Sequence, residues 1–233
     1  MSQNTFTTAQ LAECACGMSE LQLVEYQGYK LHKEIIDDFI RLQNAARDAG
    51  FTLTIASSFR SFERQALIWN AKFTGQRPVL NKQQQRVDLT SMSEIEKCHA
   101  IMLYSALPGT SRHHFGTDLD IFDSAAVATD YQLQLEPSEY TDTGPFAAMT
   151  KWLDIHLEEY GFYRPYQQDL GGVAPEPWHI SHIQQAQQLL QYQSIAVLAN
   201  IIKRSEIAGK TTILAHLPQL YQRYVLNVSA PAV

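Results

Sequence analysis

Ligand-type side chains crowd into two short segments of this chain, and any fold it adopts must accommodate that polarity. The first segment is Ser111-Arg112-His113-His114-Phe115-Gly116-Thr117-Asp118-Leu119-Asp120, and the second is Glu176-Pro177-Trp178-His179. Three of the eight His fall within these fourteen residues. Imidazole and carboxylate together suit zinc, and a catalytic zinc takes three protein ligands plus a water. A nearby carboxylate outside the ligand set can take that water's proton, because the metal lowers the water's pKa to about 7. On spacing alone, the same residues also fit buried polar and turn roles.

Composition narrows the setting. The chain has 233 residues, 45% of them hydrophobic, so it can build a real core and is not wholly disordered. No internal repeat and no Gly-, Ser- or Pro-rich linker imposes a domain boundary. Eighteen Lys+Arg against twenty-four Asp+Glu give a net charge of −6, which argues against a general nucleic-acid binder. The longest apolar run, residues 195–202, is far short of the roughly 18 residues of a membrane span. The N-terminus lacks the basic start and apolar core of a secretory signal, so a cytoplasmic location is expected unless another route exports the protein. Cys14, Cys16 and Cys98 form no disulfide framework, and the first two read as small apolar residues of an N-terminal helix.

Periodicity predicts a helix over 31–49, with Ile35, Ile36, Phe39, Leu42 and Ala46 at helical spacing and Gly50 as its stop. Residues 51–56 alternate and are β-branched, predicting a strand. Residues 61–73 read as a helix. Residues 74–89 read as an exposed loop longer than packing requires, suited to a lid or substrate wall. Ser93 and Glu96 have capping-box spacing ahead of a helix. Further expectations are a strand at 117–122, a helix at 146–160 stopped by Gly161, a strand fragment at 178–180, and helices from 181 to 225. Helices and strands mix without βαβ alternation, which predicts the α+β class. Residues 1–30 are expected as an N-terminal helical segment, 31–182 as the chemistry-bearing domain, and 183–233 as a helical extension packed on it.

The first segment fits Ser-x-His-x-x-Gly-x-x-x-Asp and the second Glu-x-Trp-His. Upstream, Ser57-Ser58-Phe59-Arg60-Ser61-Phe62-x-x-Gln65 is similar to Ser-x-Tyr-Arg-Ser-x-x-x-Gln. Together, in this order, they resemble the zinc D-alanyl-D-alanine carboxypeptidases and dipeptidases of the VanY/VanX type, over about Leu31 to His182. The resemblance implies a single compact domain of the hedgehog/DD-peptidase type, with a small central antiparallel sheet flanked by helices. It implies one zinc ion held by His113, Asp120 and His179, with Glu176 as catalytic base and acid. Arg60 would neutralise the oxyanion or hold a substrate carboxylate. Ser111, Ser58 and Gln65 would shape the substrate site.

Several positions carry alternatives. His114 neighbours His113, but register from Gly116 and Asp120 favours His113 as the ligand. Asp118 stands where the family commonly has Ala. It is expected to contact substrate, with a carboxylate behind the metal ligands or a solvated rim residue as alternatives. His182 reads as a partly buried His, Arg164 as a surface residue or a contact for a substrate carboxylate, and Trp178 as packing under the site. Strand parity would put Glu176 and His179 on opposite faces, but Pro175 and Pro177 interrupt the pleat. The implied partner is a small D-Ala-D-Ala-terminated or muropeptide-type peptide. Alternatives are an LD-carboxypeptidase, a peptidoglycan endopeptidase, or a binding protein that keeps the fold without catalysis.

Overall fold

The computed structural model describes residues 6–231. Helix α1 (Thr8–Ala15) starts at Thr7, whose side chain and that of Gln10 cap each other's backbone. Strands β1 (Leu23–Tyr26) and β2 (Tyr29–His32) then pair as an antiparallel hairpin. The expected helical segment over 1–30 is therefore helical only in α1; its first five residues lie outside the described ones. The hairpin turns on Gln27 and Gly28, both at positive φ (51° and 79°), a combination that matches the right-handed twist of paired strands. The helix expected from residue 31 accordingly begins later. His32 closes β2, a 3-10 turn follows over Lys33–Ile35, and α2 runs Ile36–Asp48.

Strand β3 (Leu53–Ser57) leads through Arg60 into α3 (Phe62–Phe73), capped by the Ser61 hydroxyl on Arg64 N. After a long loop, the Ser93/Glu96 capping box opens α4 (Glu94–Met102). Strand β4 (Asp118–Asp123), the short helix α5 (Pro137–Tyr140) and α6 (Ala147–His156) follow. Strands β5 (Phe162–Tyr163) and β6 (His179–His182) complete the sheet. Helices α7 (Ile183–Leu190), α8 (Ile195–Arg204) and α9 (Lys210–Tyr221) end the chain, with a π-turn over Gln222–Leu226. No helix is long and apolar enough to cross a membrane among the described residues.

The main sheet has the order β3-β4-β6-β5 and is antiparallel throughout. Alternation sorts its side chains. Leu53, Ile55, Leu119, Ile121 and Ile180 join Phe39 and Leu42 of α2 and Leu153 of α6 in one core. Asp118, Asp120, His179 and Ser181 take the opposite face. A second core joins α3, α4, α8 and α9 around Trp69, whose indole N–H donates to Ala208 O at 3.0 Å. The α+β class and the small antiparallel sheet flanked by helices are thus as expected. Leu67, an apolar position of α3, points to solvent, while Phe62, Gln65 and Trp69 take its inner face.

Candidate metal centre and active site

The pairing of β4 with β6 sets Asp120 opposite His179 and Asp118 opposite Ser181. His113 arrives from a 3-10 turn over Arg112–Phe115, closed by Gly116 at φ 68°. A Cβ on Gly116 would meet Leu23 Cδ2 at 2.4 Å and His32 N at 3.0 Å, so glycine is required for this turn to press against the hairpin. The turn is also tied to α3's approach, since Arg60 N donates to His113 O at 3.1 Å.

Each imidazole has one nitrogen committed elsewhere. His113 Nδ1 is 3.0 Å from Ser58 O, which makes it the N–H and leaves Nε2 a lone pair 3.3 Å from Asp120 Oδ2. His179 Nε2 is 2.9 Å from the Asp118 carboxylate, so its Nδ1 turns a lone pair toward Asp120 Oδ1 at 3.2 Å. Asp120 Oδ1 and His179 Nδ1 are both buried without a hydrogen-bond partner. Lone pairs facing a carboxylate in a dry site are costly unless a cation stands between them. One ligand atom from each of His113, Asp120 and His179 can be chosen so that all lie within 4.8 Å of one another. Two imidazole nitrogens and one carboxylate form a donor set that fits zinc. The electrostatics agree. Burial alone would lower the His179 pKa, yet the neighbouring Asp118 and Asp120 carboxylates lift it to about 9, so the site draws positive charge.

Glu176 reaches the same place by a turn. His179 N donates to Glu176 O at 3.1 Å, and the Glu176 carboxylate stands 3.7 Å from His179 Nδ1. Strand parity fails here because residues 176–179 are a turn, not a pleat. Burial pushes Glu176 up to about 8, against the lowering pull of His179 and with the Asp120 charge adding to the rise. Arg60 donates from Nη1 to Gln65 Oε1 at 2.9 Å, and Gln65 donates in turn to Ala106 O at 2.6 Å. Burial lowers the Arg60 pKa, while the Asp120 and Glu176 carboxylates raise it.

His113, Asp120, Glu176, His179, Arg60 and Ser111 line one cavity of about 490 Å³. The remaining expected substrate contacts lie behind it. Gln65 holds Arg60, and the Ser58 carbonyl holds His113. Asp118 is wholly buried, bonded to Arg112, Thr117 and His179, so it faces the metal ligands from behind rather than the substrate. His114 donates from Nδ1 to Arg60 O and accepts Gly109 N at Nε2, and burial pushes its pKa down to about 3. It props the turn and turns away from Asp120. His182 bonds Asp38 at 2.9 Å and caps α7 by accepting Gln185 N. Arg164 is buried and donates to Pro177 O at 2.9 Å and to Asp154, clamping the Glu176 turn from outside the cavity. Trp178 packs at a tilt against Tyr140, ring centroids 5.5 Å apart, and also borders the cavity.

Three further residues that line the cavity escape a sequence reading. Arg112 sits inside the first motif with nothing to mark its partner. Tyr166 lies with its ring centroid 4.9 Å from that of His179. Lys72 resembles an ordinary last-turn cation, yet it enters the cavity and donates to Ser105 Oγ at 2.7 Å. The loop at 74–89, expected as a lid or wall, supplies Arg77, Pro78, Leu80 and Gln84 to the cavity rim.

Two imidazoles and a carboxylate thus converge at one face of the antiparallel sheet, with a second carboxylate and an arginine lining the same cavity. The VanY family model, described as D-alanyl-D-alanine carboxypeptidase, matches residues 28–185. The chain therefore belongs to the VanY family of carboxypeptidases. It is 34% identical over 122 residues to an uncharacterized protein of Haemophilus influenzae, a match covering 52% of this chain and 93% of that one. It is 27% identical over 145 residues to the D-alanyl-D-alanine carboxypeptidase of Enterococcus faecalis, covering 61% of this chain but only 44% of that enzyme. Among solved structures, VanYB in complex with D-alanine-D-alanine shares the fold at TM-score 0.51 and 22% identity, over 78% of this chain and 89% of that one. A vancomycin-resistance D,D-pentapeptidase VanY variant in complex with Zn(II) does so at TM-score 0.50 and 22% identity, over 74% and 89%.

Proposed function

We propose that the chain is a zinc-dependent carboxypeptidase that releases the C-terminal D-amino acid from cell-wall-type peptides ending in D-Ala-D-Ala. The observation that carries this reading is the convergence of His113 Nε2, Asp120 and His179 Nδ1, with Glu176 3.7 Å from the last, in a member of the VanY family. One zinc ion held by His113, Asp120 and His179 would supply a Lewis acid for the scissile carbonyl and acidify a water. The Glu176 carboxylate takes the proton of the attacking water and returns it to the leaving amine. Its desolvated surroundings make it basic enough for the first task. The Arg60 guanidinium, fixed by Gln65, meets the negative charge that grows on the carbonyl oxygen. Tyr166 and Trp178 wall the site and limit water.

Lys72 favours removal of a terminal residue over internal cleavage. Its ammonium donates to the Ser105 hydroxyl and forms no salt bridge to a carboxylate among the described residues, the Glu176 charge acting on it from farther off. A half-buried cation of this kind suits the free carboxylate of a peptide end. The test is D-Ala release from pentapeptide substrates together with bound zinc. Glu176→Ala is expected to keep its metal and lose about 10²–10⁴-fold in rate. A zinc-loaded wild-type protein that hydrolyses no D-Ala-terminated peptide overturns the substrate assignment.

A further inference from the structure

Behind His179 lies a charge pair that zinc ligation alone does not require. Asp118 has no solvent exposure, and Arg112 is 5% exposed. Arg112 Nε donates to Asp118 Oδ1 at 2.8 Å, and its Nη2 donates to Ser181 Oγ at 2.7 Å and Tyr163 OH at 3.3 Å. Thr117 Oγ1 donates to Asp118 Oδ2 at 2.8 Å. The second bond to Asp118 Oδ1 comes from His179 Nε2, at 2.9 Å. A buried ion pair is a poor way to gain stability, because desolvation offsets most of the attraction and apolar residues of equal volume often serve as well. Besides Arg112 and Thr117, the group the Asp118 carboxylate engages is the Nε2–H of His179.

We propose that Arg112 and Asp118 are positioning residues that hold His179 in the tautomer and ring orientation needed for ligation. The chain of contact is Arg112 to Asp118 to His179. Asp118 fixes the proton on Nε2, and Nδ1 is thereby left as a lone pair aimed at Asp120 and the cavity. A carboxylate accepting from the far nitrogen also makes the near one a stronger donor to metal. Arg112 sets its guanidinium directly on the Asp118 carboxylate, 2.8 Å away, as the countercharge to that buried group. It also offsets the charge of a second buried carboxylate one strand position pair away from Asp120. Ser181 and Tyr163 hold the guanidinium in place. The proposal rests on the metal-site reading above but not on the substrate.

The test compares wild type, Asp118→Ala and Asp118→Asn. It measures zinc Kd by chelator competition, the visible absorption of the Co(II)-loaded protein, and the melting temperature of the metal-free form. Asp118→Ala is expected to weaken zinc binding about 10- to 100-fold and to alter the Co(II) spectrum. Asp118→Asn keeps the shape and an acceptor for Nε2–H while removing the charge, and is expected to weaken binding about 10-fold with the Co(II) spectrum preserved. If the alanine variant does not fold, the asparagine variant decides. A folded variant with lowered melting temperature but wild-type zinc Kd and Co(II) spectrum would mean a purely structural pair and overturns the proposal. Wild-type protein that binds no zinc overturns the metal-site reading and the proposal with it.

Discussion

At the residue scale, identity in the motifs was readable because metal chemistry admits few side chains. Two imidazoles and a carboxylate in family order left little choice, and the structure brings all three together. The choice between His113 and His114 came from register, and the structure gives a reason: His114 spends both nitrogens on backbone groups. Asp118 was not legible, because the same carboxylate on the same strand face can meet a substrate or a ligand's far nitrogen. Only the buried Arg112 beside it separates the two. Lys72 was silent for a similar reason: a last-turn lysine looks the same whether it ends in solvent or in a cavity. Its assignment makes a direct prediction. Lys72→Gln should lower kcat/KM on peptides with a free C-terminal carboxylate about 10- to 100-fold, the worth of a hydrogen bond to a charged group at about 1.5–3 kcal/mol. Turnover of C-terminally amidated peptides should be unchanged, and steady-state kinetics on the paired substrates checks this.

At the element scale, helices and strands with strong periodicity appeared close to where they were expected. The strand predicted at 117–122 runs Asp118–Asp123, and Gly161 stops the 146–160 helical stretch at φ 81°, its last turn being 3-10. The β1–β2 hairpin was missed because its strands are short, and Gln27-Gly28 is a weaker turn signal than Asn-Gly. This hairpin underlies the site, since Gly116 packs on Leu23 and His32. Gly116→Ala should lower the melting temperature and weaken zinc binding together, because the turn carrying His113 must move; calorimetry with metal titration reads both. His32 predicts a pH effect. Its Nδ1 accepts Glu34 N, and burial, reinforced by Lys33 and His182, pushes its pKa down to about 4. The unfolded chain takes up this proton near pH 6.5, so it binds more protons than the folded form between about pH 6.5 and 4. Stability present above pH 6.5 is therefore lost as pH falls through that window. His32→Asn, which keeps an acceptor at the turn, should flatten this part of the dependence in urea unfolding measured at pH 7 and 4.5.

At the scale of the whole molecule, two cores meet at the site. One holds the sheet against α2 and α6; the other holds α3 and α4 against α8 and α9. Arg60 and Lys72 lie at opposite ends of α3's stretch, so the second core determines where both cations stand relative to β4 and β6. Trp69 is fully buried there. Trp69→Ala should cost about 3–5 kcal/mol and appear as a lowered denaturation midpoint. Trp69→Phe should cost less, losing mainly the bond to Ala208 O.

What the sequence determined by itself was local and chemical: amphipathic periods, caps, turn glycines, and three motifs whose joint order points to one family. These depend on neighbours within a few residues or on side-chain type alone. Only the tertiary structure decided which polar residues face the cavity and which stand behind it. Asp118 and Asp120 are two residues apart and share a strand face, yet Asp120 faces His113 and the cavity while Asp118 accepts from the far nitrogen of His179. That difference comes from Arg112, Ser181 and Tyr163 arriving from other parts of the chain, and from burial, which makes an unpaired charge too costly to leave without its partner.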